Sequence, residues 1–152
     1  MELDKIDKAI LAVLQHEAKI TNAALAQKVN LSAAATLERV KKLEHHAIIT
    51  DYWAQIDPVK LGLRVEIMLG IRLQRVTAAY SKLFKAAIDK IHAVTTCYQT
   101  VGTYDFIAFV QTRDLCDFQT NVLEKLYVVD LVDKVEVIHL IQLIKRKPLV
   151  LE

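Results

Sequence analysis

Hydrophobic residues in the first third of the chain recur at the three- and four-residue spacing of amphipathic helices. Ile6, Ile10 and Val13 predict a first helix over residues 4–17. Asp4 stands at its start, where a carboxylate can accept hydrogen bonds from the free N–H groups of the first turn. The chain therefore opens with a capped helix that has one apolar face.

Two more helices are predicted, with a tight corner between them. The second covers residues 22–29 and ends near Asn30, a residue type that tolerates positive φ. Ser32 is placed to cap the third, in which Leu37, Val40 and Leu43 repeat on one side. So short a connection is typical of a helix-turn-helix, whose second member would enter a DNA groove.

The segment after the third helix is rich in side chains that strands favour. These residues are Ile48, Ile49, Tyr52, Trp53 and Ile56. They predict a strand or short wing that folds back on the helices. The first domain is therefore predicted to be a winged helix-turn-helix.

Asp57-Pro58, followed by Gly62, marks a turn-forming break in the pattern. We expect a first domain over residues 1–57, a linker over 58–63 and a second domain over 64–152.

Beyond the break, the order is strand, helix, strand, strand, helix, strand. The predicted elements are Arg64–Leu73, Ala78–His92, Val94–Thr100, Tyr104–Gln111, Leu115–Leu126 and Val132–Lys145. This βαββαβ order predicts a ferredoxin-like α+β domain with both helices on one face of the sheet. Because the first and last predicted strands are apolar on both faces, the open face is expected to pair with a second copy of the chain.

Composition excludes several classes of enzyme. The 152 residues contain only three glycines, Gly62, Gly70 and Gly102, and none has the spacing of a Rossmann or Walker loop. Neither of the two serines, Ser32 and Ser81, lies in a G-x-S-x-G nucleophile elbow. We therefore expect no catalytic residues, no cofactor and no metal.

Charge and cysteine content add little to this picture. The formal net charge is only +2, no apolar run approaches the roughly 18 residues that span a bilayer, and the first turn is polar. These features predict a cytoplasmic protein without a membrane partner. Cys97 and Cys116 show no metal-binding spacing and are expected to be buried thiols without a disulfide.

Several motifs together resemble the Lrp/AsnC family of transcription regulators, also called feast/famine regulatory proteins. The matching segments are Leu3-Asp4-Lys5-Ile6-Asp7, Ile10-Leu11, Leu14-Gln15, Val29-Asn30-Leu31-Ser32, Leu37-Glu38-Arg39-Val40-Lys41-Lys42-Leu43-Glu44 and Gly102-Thr103-Tyr104-Asp105. The resemblance implies a DNA-binding regulator of amino-acid or related metabolism that pairs through its C-terminal sheet, often forms octamers and responds to an amino acid or similar small molecule. Where relatives commonly carry glycine in the turns of the first domain, this chain has Ala18, Asn30 and Ala47. The alanines either adopt positive φ or lie in turns of another type.

The candidate DNA site follows the helix-turn-helix corner and the third helix. Its residues are Ser32, Ala33, Ala34, Thr36, Arg39, Lys41 and Lys42. Hydroxyl and basic side chains can contact phosphates or base edges, and alanine permits close approach to the groove. The alternative is a solvated helix face, since residues 1–57 hold seven Lys and Arg against eight Asp and Glu, a net charge of −1.

The candidate effector site is the turn formed by Gly102, Thr103, Tyr104 and Asp105. Asp105 could pair with the α-amino group of an amino acid, while Gly102 could allow the ligand to approach the backbone. The alternative is a tight turn capped by the aspartate. For the whole chain, two further alternatives to a DNA-binding regulator are a small-molecule enzyme or sensor on a ferredoxin-like scaffold and a stand-alone oligomerisation module.

Overall fold

The computed structural model describes residues 2–128 and 130–150, which form two compact units. The first unit joins Met1–Gln55 to the C-terminal segment Lys145–Glu152, and the second is Ile56–Ile144.

Three helices build the first unit. They are α1 (Lys5–His16), α2 (Asn22–Lys28) and α3 (Ala33–His45). The predicted N-caps Asp4 and Ser32 are confirmed, and Thr21 caps α2 in the same way, because each side chain accepts a backbone N–H from the first turn of the helix that follows. Their apolar faces meet in a small core around Ile10, Leu11, Leu25 and Leu43.

Two helices end with a residue other than glycine in the left-handed conformation. Asn30 has φ 54° and Ala47 has φ 53°. After α3, Ile48 N–H donates to the Leu43 carbonyl at 2.9 Å and Ala47 N–H donates to the Glu44 carbonyl at 2.9 Å, the bonds of a Schellman motif. Ala18 has no positive φ, so its turn is of another type. Ala47 does have a positive φ, which is a strained backbone conformation for alanine.

The predicted strand or wing at residues 48–56 is wrong. Within the described residues, the segment from 46 to 57 contains no strand. Ile48 and Ile49 do fold back on the helical core, but Trp53 is 83% exposed. A strand requires a neighbouring strand for its backbone hydrogen bonds, and the part of the chain that the structure describes supplies none to this segment.

The second unit has the predicted βαββαβ order. Its strands are β1 (Val65–Leu73), β2 (Val94–Gln99), β3 (Phe106–Thr112) and β4 (Val132–His139), in the antiparallel order β2-β3-β1-β4. Its helices are α4 (Ala78–Ile88), α5 (Leu115–Phe118) and α6 (Glu124–Val128), with a π-helical turn at Gln119–Leu123 joining the last two into one continuous helix. A short 3-10 turn, Val59–Leu61, lies in the predicted linker.

One face of this sheet is buried and the other is open. Ile67, Leu69 and Ile71 of β1 are fully buried and pack with Phe84 of α4 and Phe106 of β3 in the core on the helical side. Alternate residues point the other way, and that open face carries several large apolar side chains that are exposed or half-buried. They include Met68, Tyr98, Ile107, Phe109 and Ile138.

The last strand is shorter than predicted. β4 ends at His139, which pairs with Ile67 of the antiparallel strand β1. Since β1 begins at Val65, only two residues before Ile67, it has almost no backbone left to pair with residues beyond His139. Residues 140–150 therefore form no strand, and residues 145–150 lie with the first unit instead of the second. There, Leu149 N–H donates to Gln15 Oε1 at 2.8 Å, and Gln15 Nε2 donates to the Leu149 carbonyl at 3.2 Å.

Cys116 is exposed and Cys97 is half-buried, and both are free thiols. The expectation of two buried cysteines is wrong for Cys116 because its helix turns Phe118 toward the core and leaves Cys116 in solvent.

Gly70 lies in the middle of β1 beneath the aromatic ring of Tyr104. A Cβ atom at residue 70 would lie 2.6 Å from Cε1 of that ring, well inside van der Waals contact. At Gly102 no atom lies within 4 Å of such a Cβ, and only the φ of 144° favours glycine there. A close contact with another side chain is thus found at Gly70, as glycine inside a strand often indicates, while the approach of a ligand to Gly102 stays a prediction.

The strained turn after α3 gives a first prediction. Ala47→Gly should raise the free energy of unfolding by about 1 kcal/mol, because glycine adopts positive φ without a Cβ clash. Ala18→Gly is the matched control and should lower stability slightly, since it only increases the entropy of the unfolded chain. Urea unfolding followed by circular dichroism measures both. Equal effects at the two positions would contradict the assignment of strain to Ala47.

The contact between Gly70 and Tyr104 gives a second prediction. Gly70→Ala should displace the ring and cost about 1–3 kcal/mol of stability, as overpacking does. In a Tyr104→Ala background, the same change should cost less than about 0.5 kcal/mol, because the atoms that clash are gone. Thermal unfolding of the four chains completes the cycle. Additive costs would show that the ring does not restrict residue 70.

Candidate DNA-binding and effector sites

The exposed first turn of α3 carries three of the predicted DNA-site residues. Ser32 Oγ accepts the Ala35 N–H at 3.2 Å and thereby caps the helix, and Ala33 and Ala34 follow it in solvent. Small side chains here leave the N-terminal end of α3 accessible. An N–H-rich helix end of this kind is suited to contact with phosphate or base edges.

Lys41 and Lys42 lie exposed in the C-terminal half of α3. Lys41 Nζ is 3.5 Å from Glu38 Oε1, a solvent-exposed pair that contributes little to stability. At the end of the helix, His46 Nδ1 is 2.8 Å from the Lys42 carbonyl oxygen. Both ammonium groups can therefore turn toward a phosphate at small cost.

Thr36 has a structural role instead of the predicted DNA contact. It is fully buried, and its hydroxyl donates to the Ser32 carbonyl at 3.0 Å. The three- and four-residue spacing places residue 36 on the inner side of α3, together with Val40 and Leu43.

Arg39 is partly exposed, and two carboxylates hold its guanidinium. Its Nη1 donates to Asp4 Oδ2 and to Asp7 Oδ1, each at 2.7 Å. These bonds raise the pKa of the guanidinium, with the bond to Asp4 the largest cause. The pKa of Asp4 is lowered, first by the Asp7 N–H and then by Arg39. This cluster was not predicted from the sequence, although the buried Asp7 lies one helical turn after the N-cap and its spacing from Asp4 could have indicated a capping box.

The effector turn connects β2 to β3. Gly102 and Thr103 are exposed at its tip, and Tyr104 lies across Gly70 on the open face of the sheet. A hydrogen bond with Glu136 of β4, aided by partial burial, raises the pKa of the Tyr104 hydroxyl. Neither Gly70 nor Glu136 was a predicted site residue, and the midstrand position of Gly70 was the available signal.

Asp105 anchors the base of this turn. Its Oδ2 accepts the Leu73 N–H at 2.8 Å, and its own N–H donates to the Ile71 carbonyl at 2.9 Å. The carboxylate of Asp105 therefore ties the turn to β1 instead of capping an N–H group within the turn. This bond uses Oδ2, one of the two carboxylate oxygens.

Two general properties of the described residues bear on function. Their helices include none long and apolar enough to cross a membrane. Among the same residues, no three His, Cys, Asp or Glu side chains are grouped to hold a metal ion.

Comparisons with known proteins agree with this arrangement. Residues 3–44 match the AsnC-type helix-turn-helix domain, and residues 66–150 match the Lrp/AsnC ligand binding domain. The leucine-responsive regulatory protein of Rhizobium meliloti is 33% identical over 145 residues, which are 95% of this chain and 93% of that protein. The Bkd operon transcriptional regulator of Pseudomonas aeruginosa is 34% identical over 118 residues, 78% of this chain and 77% of its own length.

Solved structures show the same fold. A transcriptional regulator of Neisseria meningitidis in complex with L-Met superposes with a TM-score of 0.89 at 28% identity, over 95% of this chain and 94% of that chain. The AsnC protein of E. coli gives a TM-score of 0.88 at 26% identity, over 98% of this chain and 99% of that chain. The two family models and the full-length relatives thus confirm the resemblance and the prediction of a regulator in place of an enzyme. The chain belongs to the Lrp/AsnC family of DNA-binding transcriptional regulators.

Proposed function

We propose that the chain regulates genes of amino-acid or related metabolism by binding duplex DNA through α3, under the control of an amino acid bound to the second unit. The observation that carries the DNA part is the exposed first turn of α3, followed by two exposed lysines on the same helix. The regulator names of the relatives support it. A regulator of chromosomal genes would act in the cytoplasm.

In this proposal, the DNA-facing surface consists of Ser32, Ala33, Ala34, Lys41 and Lys42. The serine and the N-terminal backbone of α3 contact phosphate or base edges, the alanines allow close approach, and the lysines neutralise phosphates. Self-association belongs to the same proposal. Apolar side chains on the open face of the sheet favour pairing with a second copy, and light scattering would show whether the pairs assemble further into an octamer.

The effector part rests on the turn from Gly102 to Asp105. The solved relative from Neisseria meningitidis holds L-Met, and residues 66–150 match the ligand binding domain of the family. Asp105 would meet the α-amino group with its negative charge, while Thr103 and the exposed backbone of Gly102 form the rest of the contact and Tyr104 closes one side.

Selection of bound duplexes from random DNA, with and without a pool of amino acids, would identify the operator and the effector together. On the selected duplex, Lys41→Ala and Lys42→Ala should each lower the salt dependence of the affinity, reducing the slope of log K against log salt by about 0.9 per phosphate contact. Lys90→Ala is the control, since that exposed lysine lies in the second unit. A selection that enriches no sequence, or equal slopes in all variants, would contradict the proposed surface.

Calorimetry with individual amino acids tests the effector turn. Asp105→Asn keeps an oxygen that can accept the Leu73 N–H but removes the charge, so the binding of an effector amino acid should weaken about tenfold or more. The α-N-acetylated form of that amino acid is the matched ligand control and should bind the wild-type chain and the variant equally weakly. If no amino acid binds, or if the Asn variant binds one as tightly as wild type does, the turn is only structural.

A further inference from the structure

A closed cluster of charges links the start of α1 to the middle of α3. Asp4 Oδ1 accepts the N–H groups of Ile6 and Asp7, both at 2.8 Å, and Asp7 Oδ2 accepts the Asp4 N–H at 3.2 Å. The two oxygens that remain, Asp4 Oδ2 and Asp7 Oδ1, both bind Nη1 of Arg39 at 2.7 Å. All four carboxylate oxygens of the two aspartates therefore have a partner, and two of them hold the guanidinium.

The burial of this cluster decides where the guanidinium can go. The side chain of Asp7 is 6% exposed, whereas that of Arg39 is 32% exposed. If Arg39 moved to a DNA phosphate, the Asp7 carboxylate would remain buried without a cation, which is strongly unfavourable. The attraction between Arg39 and a solvent-exposed phosphate is screened by salt and would not offset this loss.

The surroundings of the cluster also disfavour a phosphate. Besides the two aspartates, the groove beside Arg39 is lined by Glu2 and Glu38. The four carboxylates share the groove with Arg39 and repel a phosphate that approaches its guanidinium. The groove also contains three further basic residues, Lys41, Lys42 and His45, which follow Arg39 along α3.

The two ends and the middle of α3 are held by different contacts. Asn22 Nδ2 donates to the Ala33 carbonyl at 2.8 Å near the start of the helix, and Tyr52 donates to Glu44 Oε1 at 2.8 Å near its end. Thr36 and Leu43 are buried, and Val40 packs against the same core. In the middle, Arg39 supplies the polar link to the start of α1, and without it apolar packing would hold this part of α3.

We propose that Arg39 is a positioning residue, which sets the orientation of α3 through Asp4 and Asp7 without touching DNA. This inference rests on the proposed function, since it assigns how the DNA-reading helix is held. It replaces the sequence-based expectation that Arg39 contacts guanine or phosphate. It also assigns Asp4 and Asp7 a role in DNA binding, although both carry the same sign of charge as DNA.

The test compares carboxylate removals on the selected duplex at several salt concentrations. Asp4→Asn keeps a good N-cap, because asparagine caps about as well as aspartate, and removes only the charge that faces Arg39. Asp7→Asn removes the buried charge at similar volume. Glu38→Gln is the matched control, since it removes a carboxylate from the same groove that does not bind Arg39.

If Arg39 positions α3, both aspartate variants should bind DNA about tenfold more weakly than the Glu38→Gln protein, the loss expected for one displaced base contact. If Arg39 is instead a DNA contact restrained by the carboxylates, the same variants would free it and bind more tightly, and that outcome would overturn the proposal. Arg39→Gln should weaken binding without changing the salt slope. A slope reduced by about 0.9 would also overturn the proposal, because it shows a lost phosphate contact.

Amide hydrogen exchange on the full chain without DNA separates this inference from the proposed function. Arg39→Gln and Asp4→Asn should speed exchange in residues 33–45, while Glu38→Gln leaves it unchanged. If the wild-type chain binds no duplex, the proposed function fails. Hydrogen exchange then still shows whether Arg39 and Asp4 hold α3 in position. If exchange is unchanged in all three variants, the positioning is wrong, whatever the chain binds. Should Asp7→Asn fail to fold, the half-exposed Asp4 still provides both readouts.

Discussion

The arrangement of the first unit depends on one buried carboxylate. Asp7 lies inside a domain whose core is small, and a charge in that position is tolerated only when a cation and hydrogen-bond donors surround it. The backbone N–H of Asp4, the N-cap of α1, supplies one donor, and Arg39 of α3 supplies the cation. The first and third helices are thereby tied together by a contact that apolar packing alone would not orient.

The second unit is organised by the central strand β1, which has a neighbour on both edges and two different faces. Its inward residues fill the core beneath the helices, and its outward face is flat enough at Gly70 to hold the ring of Tyr104. Tyr104 belongs to the turn between β2 and β3, and its hydroxyl meets Glu136 of β4. The turn is thus coupled to the open face, so a molecule that moved Tyr104 would change the surface through which we propose that two copies pair.

The sequence predicted the features that depend on local periodicity and missed those that depend on a distant partner. Helices α1, α2 and α3, their caps and the order of elements in the second unit follow from spacing and capping residues that lie within a few positions of one another. The wing and the end of β4 were wrong because apolar, β-branched residues indicate burial but cannot show whether another strand is present to bond with. The ion pairs of Arg39 cannot be predicted from local spacing, because its partners lie more than thirty positions earlier in the chain.

The charge cluster also changes how the acidity of the first domain is understood. Residues 1–57 hold seven Lys and Arg against eight Asp and Glu, but without Arg39, Asp4 and Asp7 the count is six against six. Part of the apparent acidity is therefore structural, and the remaining surface is neutral instead of repulsive. A neutral helix-turn-helix with two basic residues on its reading helix neutralises few phosphates, so one copy should bind DNA weakly. Pairing through the open face would present two such units at once, and the second would then bind at a high effective concentration. If two copies pair in this way, the apolar open face would compensate for the weak charge of the helix-turn-helix, because the affinity for DNA would come from the number of copies bound.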